Sequence, residues 1–213
     1  MRILVNGMFG LGDNLYQLGF IRKLAEEGHD VTVVTPWPEL YQDVPRIQFQ
    51  RPHTSLRTQA KNAKRVNGDV WSTKTRFDKH LSVHYGAGTV IPDDMQRIFG
   101  VEPQWGLRSF KNPMPRKKPY IILRPVTVRR EWQNEARNPL PEYIDQISRW
   151  LSKRYHIISV ADLEDDQEWL EGPAPFAHEQ LHKGELTMPE LFGLCQGAAA
   201  VVGGVGWIVT GKH

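Results

Sequence analysis

Cysteine is almost missing from this chain: Cys195 is the single one in 213 residues, so no intrachain disulfide can form. Long apolar runs are missing too, and none reaches the roughly 18 residues of a membrane span. The N-terminus lacks a signal-peptide pattern and opens directly into Arg2-Ile3-Leu4-Val5, which reads as a strand. Together these absences favour a cytoplasmic location. No GxGxxG fingerprint, Walker lysine or G-x-S-x-G elbow occurs, which leaves a dinucleotide fold, an NTPase and a Ser–His–Asp hydrolase without support. His178 and His182 stand four apart, but no HExxH pattern or cysteine partner accompanies them. The acidic loop Asp162, Glu164, Asp165 and Asp166 lacks the spacing and glycine of an EF-hand, so no metal is expected. No repeat at a solenoid period and no low-complexity tract appears.

What is present is an ordinary globular composition, 40% hydrophobic and 24% charged, on a chain long enough for one large or two small domains. The net charge of +3 is unevenly spread. Arg57, Lys61, Lys64, Arg65, Lys74 and Arg76 face only Asp69 in their stretch, and residues 108–130 hold eight cations with no acid. Two readings apply: solvated loops, or an anion site for nucleotide phosphates or a nucleic-acid backbone.

Hydrophobic patterning divides the chain into two α/β halves. Arg2 to Asn6 reads as a buried strand and Val31 to Val34 as a second. Leu15, Leu18, Ile21, Leu24 and Ala25 recur at helical spacing between them, in a helix ending near Gly28. Strand, glycine loop, helix and strand over Met1 to Thr35 make a right-handed βαβ unit. A short helix around Glu39 to Tyr41 and a strand at Ile47 to Phe49 follow. Residues 50–112 are expected to be loop-rich, apart from a strand end at Asp69 to Trp71 and a helix from Pro92 to Phe99 closing at Gly100. Lys111 to Pro119 reads as a linker. The second half has strand Tyr120 to Leu123, a long polar loop from Pro125 to Pro141, and helix Glu142 to Lys153 with Ile144, Ile147 and Leu151 inward. Strand His156 to Val160, helix Met188 to Gln196 and strand Ala198 to Val202 complete it. The expected domains are 1–113 and 119–213, with the second incomplete at three strands, through truncation or because another copy completes its sheet. Ligands of such sheets bind outside the carboxyl ends of the strands, and the loops 7–13, 124–141, 161–166 and 203–206 all follow a strand.

The first of these loops is Gly7-Met8-Phe9-Gly10-Leu11-Gly12-Asp13-Asn14. Gly10 and Gly12 let a ligand approach the backbone, and the following helix offers free N–H groups. Asp13 has two readings: a first-turn acid stabilising the helix by ~1 kcal/mol, or a carboxylate placed to act as a general base. Arg124, Arg129 and Arg130 follow a strand, where guanidinium forks suit phosphate oxygens; the alternative is a surface loop paired with Glu131 or Glu135. Trp132 either stacks on a base or packs against its domain. Glu185 either accepts ribose hydroxyls or is an ordinary acid near a helix start.

Strand Met1 to Val5, the loop Gly10-Leu11-Gly12-Asp13, its helix and Val31 to Thr35 together resemble the ADP-heptose:lipopolysaccharide heptosyltransferase family of GT-B glycosyltransferases. Arg124-Pro125, Arg129-Arg130-Glu131-Trp132 and the run from Leu186 to Gly203 are similar to segments of that family's nucleotide-binding half. The resemblance implies an α/β, GT-B-like fold of two Rossmann-like parallel-sheet domains facing a cleft, the second incomplete. It implies Asp13 as the base that deprotonates the acceptor hydroxyl, with Gly10, Gly12 and Asn14 on the acceptor side. Arg124, Arg129, Arg130, Trp132, Glu185, Gly203, Gly204 and Gly206 would then meet the nucleotide diphosphate. The family's G-x-D-[ST]-G loop is here Gly203-Gly204-Val205-Gly206-Trp207, without the acid.

The expected function is metal-independent, inverting transfer of a sugar from a nucleotide-diphospho sugar to an acceptor hydroxyl, with no cofactor. The acceptor is a sugar, a lipid-linked group or a nucleic acid, and a homo-oligomer is an expected partner arrangement. Two alternatives stand beside it. The basic stretches suit a DNA-modifying glycosyltransferase or a nucleic-acid-binding protein. The altered donor loop suits a catalytically inert GT-B remnant.

Overall fold

The computed structural model describes residues 1–86, 88–131 and 138–204. The chain forms two compact units, Met1–Arg108 and Ser109–His213.

In the first unit, β1 (Arg2–Asn6) lies between β2 (Asp30–Val34) and β4 (Lys79–Ser82), with β3 (Ile47–Gln50) beyond β2. All four strands are parallel, and Val5 stands level with Val33 on one side and Leu81 on the other. The middle of β1 and of β2 is buried on both faces, as a helix-covered parallel sheet requires. Helix α1 (Leu11–Glu26) returns the chain from β1 to β2 and ends where Gly28 takes φ 91°, a left-handed value that glycine adopts without penalty. Its inward residues include Phe20, whose ring stacks on Phe99 of α3 (Ile91–Phe99) at 5.1 Å.

Three expectations change here. Leu15 is only half-buried, whereas Asn14 and Gln17 of the same helix are fully buried. Residues 50–112, loop-rich as expected, also hold two elements that were not expected, α2 (Arg57–Arg65) and β4. The buried face of α2 is Gln59, Asn62 and Ala63, so the helix carries no periodic apolar signal. The strand end expected at Asp69 to Trp71 is a 3₁₀ turn over Gly68–Val70, after which Trp71 bridges to Phe49.

In the second unit, β5 (Tyr120–Leu123) lies between β7 (His156–Val160) and β10 (Ala200–Val202), with β9 (Glu179–Leu181) beyond β7, again all parallel. Alternation along β5 sorts the core. Tyr120 and Ile122 pack with Leu194 and Cys195 of α5 (Met188–Gly197), while Ile121 and Leu123 pack with Ile144 of α4 (Pro141–Leu151). Thr187 and Glu190 close a capping box at the start of α5. Phe110 packs against Phe192 at 5.4 Å, and its N–H donates to Gln196 at 2.8 Å, so the stretch before β5 is built into this unit.

Here too the sequence reading is corrected. The parallel sheet has four strands, not three, because β9 adds to it. The expected long polar loop contains β6 (Thr127–Arg129), which pairs antiparallel with β8 (Glu168–Leu170). Ile147 does not point inward: it is exposed, and Ile144 and Ser148 fill the inward face of α4. No helix among the described residues is long and apolar enough to cross a membrane.

Candidate active site

At the carboxyl end of β1, the glycine loop is held by buried polar side chains. Asn14 Nδ2 donates to the carbonyls of Met8 and Gly10, both at 2.8 Å. Trp37 Nε1 donates to the carbonyl of Phe9 at 2.8 Å. Three successive loop carbonyls are therefore fixed by side chains from α1 and from the segment after β2. Asn14 is itself clamped. Its Oδ1 accepts from Thr35 Oγ1 at 2.7 Å, the Tyr41 hydroxyl at 2.8 Å and Gln17 Nε2 at 2.9 Å. Asn14, Gln17, Thr35 and Tyr41 are all buried, so each bond replaces water that cannot reach the group. Burial raises the Tyr41 phenol above its ordinary range, which keeps it a neutral donor.

Close approach explains two of the loop glycines. A side chain at Gly7 would meet the Gln17 amide at 2.7 Å, and one at Gly10 would collide with Asp13 Oδ2. Asp13 sits in the first turn of α1, and no side chain caps that helix. The Tyr85 hydroxyl, arriving from the segment after β4, donates to Asp13 Oδ1 at 3.0 Å. The arrangement presents an oriented carboxylate at a helix N-terminus on a rigid loop, which is chemically suited to accept a proton. Gly12 lies in the same turn. Nearby, Glu39 is bound by Asn62 of α2 at 3.2 Å, and burial raises its carboxyl above the usual carboxylate value.

The second unit gathers its candidates around Glu168. This carboxylate, 1% exposed, takes Arg124 Nη2 at 3.2 Å and Thr127 Oγ1 at 2.9 Å on one oxygen, and Arg129 Nε at 3.0 Å on the other. Burial lowers the Arg124 guanidinium from its ordinary value, and the charge of Glu168 opposes that shift. The Arg124 N–H donates to the carbonyl of Val202 at 2.8 Å, so Gly203 stands next to the start of the arginine loop. Arg130 does not join the cluster: its side chain is exposed, and its backbone N–H pairs with Gln167 at 2.9 Å. Glu185 accepts from the Lys183 N–H at 2.8 Å, after β9. Gly204 follows Gly203 at the end of the described segment, while Trp132 and Gly206 lie outside the described residues.

His178 and His182 do not converge. His178 Nδ1 accepts the Ile157 N–H at 2.9 Å, and His182 Nε2 meets Ser159 Oγ at 2.8 Å. Among the described residues, no group of three or more His, Cys, Asp or Glu side chains is placed to hold a metal ion. Burial lowers the His182 pKa from its ordinary 6.5, and Glu185 acts in the opposite direction. A depressed value in the folded state means that the unfolded chain binds the proton more tightly. Stability from this group is thus full above pH 6.5 and is lost as pH falls towards the folded value. Urea titrations across that range are expected to show a slope that shrinks in His182→Gln; an unchanged slope would contradict this assignment.

Tyr85, Gln17, Thr35, Tyr41 and Glu168 went unread in the sequence. The signal for Glu168 was weak: an acid inside a short β-type stretch, with its arginine partners some forty residues away.

No protein-family model and no curated protein matches the chain. Solved structures do match it. The bacterial iron-containing dodecameric glycosyltransferase TibC from enterotoxigenic E. coli H10407 aligns with TM-score 0.65 and 15% identity, over 100% of this chain and 56% of TibC. TibC in complex with ADP-D-β-D-heptose aligns with TM-score 0.62 and 16% identity, over 99% and 56%. The E. coli ADP-heptose LPS heptosyltransferase II aligns with TM-score 0.61 and 11% identity, over 100% and 81%. The chain thus spans little more than half the length of TibC. At these identities the likeness establishes the fold. The chain has the α/β architecture of the GT-B heptosyltransferases, with two Rossmann-like parallel-sheet units.

Proposed function

We propose that this chain belongs to a glycosyltransferase that moves a sugar from a nucleotide-diphospho sugar to an acceptor hydroxyl, with inversion and without a metal. The observation that carries the reading is Asp13: a carboxylate on a loop whose carbonyls are pinned by Asn14 and Trp37, and whose own oxygen is held by Tyr85. In the proposed step Asp13 takes the acceptor hydroxyl proton as the acceptor oxygen attacks the anomeric carbon. The bond from that carbon to the diphosphate breaks, and the nucleoside diphosphate leaves with the electron pair. Attack opposite the leaving group inverts the anomeric centre.

Arg124 and Arg129 would stabilise the departing diphosphate. A guanidinium has five donors, and Glu168 with Thr127 engages only part of each fork. Two cations so held supply the charge stabilisation that favours a departing anion. Gly203 and Gly204 would let the nucleotide approach the backbone. The fold neighbours suggest which donor to try: TibC was solved with ADP-D-β-D-heptose, so ADP-linked heptose is the first donor to test.

Tyr85 is a positioning residue in this scheme, since it acts through Asp13. Tyr85→Phe removes a hydrogen bond to a charged group and is expected to lower kcat about tenfold while KM for the donor stays unchanged. Steady-state kinetics with ADP-heptose and a sugar acceptor separates the two constants. A rise in KM at unchanged kcat would remove Tyr85 from this role.

A further inference from the structure

The last stretch of the crossover from β3 to β4 contains no helix. Trp71 bridges to Phe49 at the β3 edge, and the Asp78 N–H donates to the carbonyl of Arg2 at 2.8 Å. Residues 72–77 run between those two anchors without regular structure, and so cross the amino ends of β2 and β1. Register and alternation set four side chains on one face there. Arg2 is level with Asp30, Thr32 is level with Gln48, and Asp30 and Thr32 are two apart on β2. These four line a pocket together with Lys74 and Arg76 of the crossing segment. The glycine loop lies at the opposite end of β1, so pocket and candidate active site are separate.

Two observations point to a ligand. The first is charge. Arg46 also lines the pocket, which sets four cations against Asp30 and the neighbouring Asp78. Both acids act on Arg2: Asp78 pairs with it at 2.8 Å, and Asp30 adds to its field. Arg46 gives one N–H to the Ala25 carbonyl at 2.6 Å. Lys74 and Arg76 have no ion-pair partner among the described residues. Exposed cations alone are ordinary. The second observation is Thr32, which is 4% exposed and whose hydroxyl makes no hydrogen bond among the described residues. A buried hydroxyl normally has a partner, and the pocket is where this one can find it. Beside it, the Gln48 side-chain oxygen accepts from Ser72 Oγ at 3.3 Å, which leaves the amide N–H₂ group to donate.

We propose that this pocket binds a phosphate group, free or as the terminal group of a phosphomonoester. Lys74 and Arg76 supply the charge, and Thr32 and Gln48 give neutral donors to the remaining oxygens. Donors arriving from two strands and a crossing segment suit a tetrahedral anion, whereas a carboxylate offers two oxygens in one plane. Four cations against two acids leave the charge that one phosphate dianion neutralises. A nucleic-acid phosphate is joined on both sides and could not reach a threonine set so deeply, but a terminal phosphate can.

Heteronuclear NMR of the full chain reads the site residue by residue, which separates it from any phosphate held by Arg124 and Arg129. Chloride holds the ionic strength constant while inorganic phosphate, or glycerol 3-phosphate in a second series, is raised to about 20 mM. Wild type is expected to show saturable shifts at Val31, Thr32 and Gln48, with a dissociation constant of about 0.1–2 mM. Lys74→Gln combined with Arg76→Gln is expected to weaken binding at least about tenfold. Thr32→Val is expected to weaken it about threefold to tenfold without lowering the melting temperature, because the hydroxyl has no partner in the fold to lose. Tighter binding of the ester would make a phosphorylated metabolite the ligand, and tighter binding of inorganic phosphate the free ion. Shifts that grow linearly without saturating overturn the proposal. So does wild-type affinity in the double variant or in Thr32→Val.

Discussion

Asp13→Asn is expected to lower the rate of sugar transfer by about 10²–10⁴-fold, the usual contribution of a positioned general base, with nucleotide affinity unchanged. Asparagine has nearly the shape of aspartate and still offers an oxygen to the Tyr85 hydroxyl, so the contact at 3.0 Å can persist. The loop itself does not depend on the Asp13 charge. Its carbonyls are bound by Asn14 and Trp37, and Asn14 is bound by Thr35, Tyr41 and Gln17. What the substitution removes is the negative charge at the helix start, and with it the proton affinity. An acceptor hydroxyl has a high pKa, and the carboxylate need only take its proton while the new bond forms. Initial rates at saturating donor, with nucleotide affinity measured separately, resolve the two effects. Equal loss of rate and of nucleotide binding would contradict the base assignment.

Glu168→Gln is expected to cost about 3 kcal/mol of stability in the second unit, the order found when one partner of a buried ion pair is removed. The carboxylate is 1% exposed and serves Arg124, Arg129 and Thr127 at once. Glutamine keeps the size but presents one oxygen and an N–H₂ group to two guanidinium ions. Burial already disfavours the charged form of Arg124, so losing the opposing charge leaves a desolvated cation. Both arginine side chains retain some contact with water, 22% and 32% exposed, which places the cost at the low end of the range for buried pairs. Urea denaturation followed by circular dichroism gives the difference. A change below about 0.5 kcal/mol would place the cluster among ordinary surface pairs.

The central strands of both sheets were legible in the sequence because burial on both faces needs continuous apolar runs. Ile3 to Val5, Tyr120 to Leu123 and Ile157 to Ile158 are such runs. Asp13 could be named as a candidate because it follows a glycine loop between a strand and a helix and matches the position that the family resemblance marks. What escaped has physical reasons. Strands β4 and β9 are short and half-exposed, so alternation had almost nothing to register on. Helix α2 hides Gln59 and Asn62 where apolar side chains were sought. Ile147 was misassigned because Ile144 and Ile147, three residues apart, share one side of a helix, and only the packing shows which edge of that side meets the sheet. Asn14 was read only as an acceptor-side loop residue and Gln17 not at all, since the bonds that clamp them depend on Thr35 and Tyr41, more than twenty residues later.

The donor side is where the proposed function stands or falls, because Gly203 and Gly204 lack the acid of the family's nucleotide loop. Titration calorimetry of the full chain with ADP, ADP-heptose and other nucleoside diphosphates, with and without magnesium, tests it most directly. The expected result is saturable binding of at least one nucleoside diphosphate without magnesium, equal in wild type and Asp13→Asn. Failure of every one of them to bind, with the chain folded, would contradict the glycosyltransferase reading and leave a GT-B fold without its donor site.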